Sequence, residues 1–192
     1  SGKSSLLWAM LKNKKMLNKV FDNVYLFQPS HSRASIKNNI FKKHPKDKMF
    51  EELNYEDLDE VMERIRGTDP NENNVIIFDD QSAYLKNKET LRLFKELIFN
   101  RRHLRTSIYF LNQTFFSVPK ELRMLFSNIF VFKVSRNEMK NLFEEVVEQD
   151  HVKDLMPEIS KMVFDRPYQY LFINTDNQKF YKGFDRIDFE ED

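Results

Sequence analysis

Three short stretches carry residue types suited to handling a nucleoside triphosphate. Gly2-Lys3-Ser4, with Ser5 behind it, runs directly into a helical pattern and matches the last three positions of G-x-x-x-x-G-K-[ST], the phosphate-binding loop. In that motif glycine lets the backbone approach the phosphates, amides at the helix start face the anion, lysine spans the β- and γ-phosphates and the hydroxyl reaches magnesium. Gly2, Lys3, Ser4 and Ser5 are therefore candidates for holding ATP, and Ser4 also for Mg²⁺. The first glycine of the full motif would lie ahead of Ser1. The second stretch, Asn74-Val-Ile-Ile-Phe-Asp79-Asp80, delivers two carboxylates at the end of an apolar strand. There the first acid can hold Mg²⁺ and the next can orient and polarise an attacking water. A second account makes the same pair the cap of a helix beginning near Ser82, and both stay open. The third residue is Gln113, two positions past an apolar strand, where an amide can touch γ-phosphate and attacking water, or simply sit in a surface loop.

These residues need elements to bring them together. Three-to-four spacing predicts helices over 4–17, 55–66 and 82–100, a short one after Pro119, and two more over 137–147 and 152–161. Apolar runs predict strands over 23–27, 75–78, 107–111 and 128–134, with 168–173 and 179–181 as a closing hairpin. The strand 23–27 is stopped by Gln28-Pro29-Ser30, and residues 30–50 read as basic loop with a helical turn. Continuous apolar strands separated by helices describe an α/β fold with a mostly parallel sheet covered on both faces.

The composition bounds the rest. The 192 residues include 41% hydrophobic and 14% aromatic side chains, 19 of them Phe, which is ample for a core. With no cysteine, disulfides, thiolate zinc sites and cysteine nucleophiles are excluded, and no apolar run approaches the roughly 18 residues a membrane-spanning helix needs. The net charge is +1, yet it is segregated. Residues 1–50 hold 11 Lys/Arg against 2 Asp, and residues 51–80 hold 11 Asp/Glu against 2 Arg. Such segregation makes a basic face for phosphates, or two solvated surfaces of opposite sign. The basic candidates are Lys12, Lys14, Lys15 and Lys19, then Lys37, Lys42, Lys43, Lys46 and Lys48. The pair Phe115-Phe116 suits either the core or an interface anchor, and is assigned to the core.

The run Arg102-His103-Leu-Arg-Thr-Ser-Ile-Tyr-Phe-Leu-Asn-Gln113, preceded by Asp79-Asp80 and followed by Pro119-Lys-Glu-Leu-Arg123, resembles the genome-packaging ATPases of large nucleocytoplasmic DNA viruses. These belong to the FtsK–HerA superfamily of P-loop NTPases. The resemblance covers residues 1 to about 132 and is strongest over 74–123. It implies a three-layer P-loop NTPase of the additional-strand type in a single domain over 1–192, with C-terminal helices and a hairpin over 135–192. Carried over by position, Lys3 and Ser4 bind phosphate and magnesium, Asp79 is the magnesium acid, Asp80 the catalytic base and Gln113 the γ-phosphate sensor. Arg102 is the candidate finger for a neighbouring subunit's nucleotide, with Arg123 next.

The implied activity is ATP hydrolysis driving double-stranded DNA into a capsid. The implied partners are DNA, further copies in a homo-oligomeric ring, and capsid or membrane-associated portal proteins; the implied location is the virion or the cytoplasmic virus factory. A helicase or plasmid-mobilisation motor, or a non-catalytic capsid-assembly module, would use the same residues. In the superfamily the first strand lies between the sensor strand and the strand after it. The expectation is thus of an N-terminally truncated sequence, or of another segment, such as the C-terminal hairpin, filling that slot.

Overall fold

The apolar run ahead of Asp79 forms the centre of a parallel sheet in the computed structural model, which describes residues 2–30, 32 and 40–189. Two compact units are present, one of Lys3–Lys120 and one built mainly from Glu121–Asp192. In the first, α1 (Lys3–Lys12) leads to β1 (Asn23–Phe27), β2 (Met49–Phe50), α2 (Tyr55–Arg66), β3 (Asn74–Asp79), α3 (Lys88–Asn100) and β4 (Thr106–Leu111). The strands lie in the order β2-β1-β3-β4, all parallel.

Alternation along β3 divides its side chains between two layers. Val75 and Ile77 join a buried cluster with Leu7 and Trp8 of α1, Leu26, Phe41 and Leu111. On the opposite face Phe78 meets Phe94 of α3 edge-on at 4.9 Å between ring centres. One row of rings crosses the whole sheet on that face. Phe50, Phe27, Phe78 and Phe110 stand in register, with centres 4.8, 5.0 and 5.8 Å apart. Aromatic and aliphatic cover on both faces explains why these strands read as unbroken apolar runs.

Two helix limits differ from the sequence expectation, each for a local reason. α1 stops at Lys12 because the Asn13 side chain accepts the Lys15 amide at 2.9 Å, offering the backbone a turn instead of another helical bond. The single helix expected over 82–100 is split: Ser82–Lys86 is 3₁₀, and α3 starts after Asn87, whose side chain caps the amides of Glu89 and Thr90. Phe116 is 38% exposed, so the Phe115-Phe116 pair is not wholly core.

In the second unit the one-turn helix α4 (Lys120–Arg123), which begins at its boundary, leads to β5 (Asn128–Phe132), α5 (Arg136–Val146), α6 (Asp150–Asp154), α7 (Met156–Val163), β6 (Tyr170–Asn174), β7 (Lys179–Lys182) and β8 (Asp185–Ile187). Its sheet is an antiparallel meander in the order β5-β6-β7-β8. The strand expected over 128–134 therefore does not extend the parallel sheet. Ile129 and Val131 are buried while Phe130 and Phe132 are only partly so, the two-residue period of a sheet with one covered face. Phe made both sets look apolar in sequence. The hairpin pairs with β5 and not with β4, so it does not fill the slot beside the sensor strand. Among the described residues β4 has a strand partner on its β3 side only.

Replacing Asn87 by Ala removes the cap of α3 and should cost about 1 kcal/mol of stability in urea unfolding. An unchanged midpoint would show that the split between the two helical segments has another origin.

Candidate active site

Parallel strands put their carboxyl ends along one edge, and there the polar residues gather. Asp79, the last residue of β3, is 9% exposed. Being next to Phe78, it points to the opposite face, the one α1 covers. The Ser4 hydroxyl at the start of α1 donates to Asp79 Oδ2 at 3.3 Å across 75 positions of sequence. Gln28, immediately after β1, donates from Nε2 to the same oxygen at 2.6 Å. Lys3 lies close enough to favour the carboxylate electrostatically. Thus the helix start and the strand acid, far apart in the chain, share one hydrogen bond.

Burial holds the Asp79 carboxyl above its ordinary pKa, because a charge there loses water; the Gln28 and Ser4 hydrogen bonds and Lys3 oppose the shift, and the neighbouring Asp80 adds to it. Ser4 spends its proton on Asp79, which leaves lone pairs on Oγ beside a carboxylate. That is a hard oxygen pair of the kind Mg²⁺ accepts. Among the described residues there is no group of three or more His, Asp or Glu able to hold a metal, so most ligands of such an ion would come from nucleotide and water.

Asp80 adopts φ +58°, a left-handed conformation that Asp tolerates better than most residues. Its amide donates to Leu111 O at 2.9 Å, and Gln81 anchors the backbone beside it. The buried Gln81 amide donates to Asp79 O at 3.1 Å and accepts from Leu53 N at 2.7 Å. Turned out of the strand this way, the Asp80 carboxylate is met by Gln113 Nε2 at 3.4 Å. The cap interpretation of the acid pair fails: the 3₁₀ segment at Ser82 has no side-chain cap, and Asn87 caps α3.

The remaining expected residues are placed less centrally. Ser5 is exposed on α1 with no side-chain hydrogen bond to a described residue. Gly2 belongs to the second unit, where a Cβ would fall 2.7 Å from Cε1 of Phe132; packing alone calls for glycine there. Arg102 stands exposed in the turn before β4, about 20 Å of strand away from Gln113, so it does not reach this chain's own site. Its guanidinium has no hydrogen bond or ion pair to a described residue. Its neighbours are committed: Arg101 donates to Ile98 O at 2.8 Å and Arg105 to Pro70 O at 2.5 Å. Arg123 corrects the sequence expectation. It is 9% exposed and grips Glu145 of α5 through two bonds of 2.7 and 2.6 Å, which commits its guanidinium to holding the second unit together. Of the basic candidates, Lys14, Lys15, Lys19, Lys42, Lys43 and Lys46 are exposed, Lys48 donates to Asn23 Oδ1 at 2.8 Å, and Lys37 lies outside the described residues.

With the geometry in place, comparison with known proteins decides the family. The sequence matches the family described as Poxvirus A32 protein over residues 1–190. The chain belongs to the poxvirus A32 protein family. Its fold is similar to the genome packaging NTPase B204 from Sulfolobus turreted icosahedral virus 2. In complex with AMPPCP that protein gives a TM-score of 0.67 at 11% identity, covering 97% of this chain and 93% of the other. The sulfate complex gives 0.68 at 10% identity, covering 98% and 92%. The B204 DNA-packaging ATPase from Sulfolobus turreted icosahedral virus gives 0.62 at 14% identity, covering 94% and 90%. No curated protein sequence matches. The A32 family chain thus has a P-loop NTPase fold, and the packaging-ATPase resemblance seen in its sequence holds.

Sequence reasoning missed Gln28 and Gln81. Gln28 had a signal: it follows the last apolar residue of its strand as Asp79 follows Phe78.

Two outcomes follow from these contacts. Arg123→Ala leaves the half-buried Glu145 without its partner and should lose about 2 kcal/mol or more in urea unfolding; a loss under about 1 kcal/mol would return Arg123 to the finger candidates. For Asp79, a folded-state pKa above the unfolded one means the fold binds the proton more tightly, so stability falls as pH rises through the raised value. Metal-free Asp79→Asn should therefore melt above the wild type at neutral pH, with the gap closing as pH falls below the usual carboxylate range. A gap independent of pH would contradict the assignment.

Proposed function

We propose that this chain hydrolyses ATP to drive double-stranded DNA into a viral capsid, working as a homo-oligomeric ring. The observation that carries the reading is the Ser4–Asp79 hydrogen bond with Gln113 on Asp80: the lysine-serine helix start, the acid pair and the amide meet at one sheet edge. The family, and structural neighbours that are genome packaging NTPases with bound nucleotides, support the same reading.

The Lys3 ammonium and the first amides of α1 would receive the β- and γ-phosphates. Ser4 and Asp79 would hold a magnesium ion, which when bound neutralises charge developing on the transferred phosphoryl group. Asp80, turned out of its strand, would orient the attacking water and accept its proton, and Gln113, hydrogen-bonded to Asp80, would link that water to the γ-phosphate. Arg102, at the far end of its own sheet, would act on a neighbour's nucleotide, where a guanidinium supplied in trans is worth roughly 10³-fold or more. That placement makes turnover depend on subunit contact. Lys19, and Lys48, whose ammonium reaches Asn23 at the start of β1, belong to that same far end, and a motor indifferent to sequence would grip phosphates with such lysines.

The test is ATP turnover of the purified protein with Mg²⁺ and blunt duplex DNA. Turnover stimulated by duplex, abolished by Lys3→Ala and reduced by roughly 10³-fold in Arg102→Ala is expected. Unwinding of a forked substrate would select a helicase, and binding of ATP without turnover a non-catalytic module. Full turnover in Lys3→Ala would end the proposal.

A further inference from the structure

Gln28 is fully buried, at 0% exposure, yet only half of its amide is used. A carboxylate can only accept, so the NH₂ faces Asp79, at 2.6 Å, and the carbonyl is forced to the other side. There Oε1 has no hydrogen-bond partner among the described residues. Buried polar atoms without partners are rare, and each calls for a cause. Nothing in local folding requires this one, since β1 already binds onward through Gln28 N to Phe50 O at 2.9 Å. Leucine would fill the same space without stranding an acceptor.

The cause lies in what comes to Asp79. Mg²⁺ gives up its waters reluctantly and keeps several when protein supplies only one or two oxygens. Those waters donate hydrogen bonds, and with Oδ2 of Asp79 already taken by Ser4 and Gln28, acceptors beside it are scarce. A neutral carbonyl supplies one without a second negative charge to repel the acid.

We infer that Gln28 is a positioning residue of the metal site: its Nε2 fixes the Asp79 carboxylate, and its Oε1 accepts a hydrogen bond from water on the divalent cation. The inference rests on Asp79 holding that cation, as proposed above. Outer partners of this kind are worth about 10- to 100-fold in metal affinity.

The test measures Mn²⁺ binding by electron paramagnetic resonance with AMPPCP present, in the wild type, Gln28→Leu, Gln28→Met and Asp79→Asn. A fluorescent ATP analogue bound in EDTA reports the nucleotide site without metal. Both Gln28 variants should weaken Mn²⁺ about tenfold or more while binding the analogue in EDTA as the wild type does. Their metal-free melting temperatures should change little, because relief of the stranded acceptor offsets loss of the hydrogen bond to Asp79. Wild-type Mn²⁺ affinity in both, with Asp79→Asn impaired, overturns the role of Gln28 and leaves the site intact. Unchanged affinity in Asp79→Asn too overturns the site itself. Equal losses with and without metal, or unfolding of both Gln28 variants, reduce Gln28 to a structural residue and also overturn the inference.

Discussion

A carboxylate nine-tenths covered by protein has to be answered by donors, and Asp79 is answered from two directions. Ser4 reaches it from the start of a helix and Gln28 from the end of the neighbouring strand. Neither donor carries charge, so the acid keeps its negative field while its orientation is fixed. A lysine placed in hydrogen-bond contact would have cancelled that field. The arrangement leaves the carboxyl with a raised affinity for a proton, and equally an appetite for a cation. Every functional assignment for this A32 family chain depends on that one side chain being held where it is.

What holds it is register. The row Phe50-Phe27-Phe78-Phe110 locks four strands at one level, and the next residue along puts Gln28 beside Asp79 on the opposite face. A slip by one residue would turn Asp79 toward α3 and Phe78 toward Ser4. The rings therefore do more than fill the core: they set which side chains emerge at the carboxyl edge. Asp80 and Gln113 depend on the same edge through a different device, the left-handed turn at Asp80 pinned by Leu111 O and by Gln81.

Much of this was legible from the residues in order. Lys3, Ser4, Asp79, Asp80 and Gln113 stand out because each follows or opens an apolar element, and the strands β1, β3 and β4 declare themselves as apolar runs, though only β3 is buried throughout. Other features are hidden for physical reasons. Gln28 sits in a Gln-Pro-Ser stretch whose turn chemistry masks its other task. Phe130 and Phe132 are as apolar as Ile129 and Val131, so a one-sided antiparallel sheet looked like a buried strand. Arg123 carries charge in a motif position, and only the fold shows Glu145 waiting for it 22 residues on. Asn87 interrupts a helical pattern whose apolar spacing continues through it. Charge, size and spacing predict which residues gather; they do not reveal which polar group already has a partner.

The most direct measurement is a crystal structure of the protein with Mg²⁺ and a non-hydrolysable ATP analogue. The account predicts a cation bound to Ser4 Oγ at about 2.1 Å, next to the Asp79 carboxylate, with the γ-phosphate lying between Lys3 and Gln113. Nucleotide bound elsewhere, or a cation with Ser4 and Asp79 on neither side of it, would contradict the account.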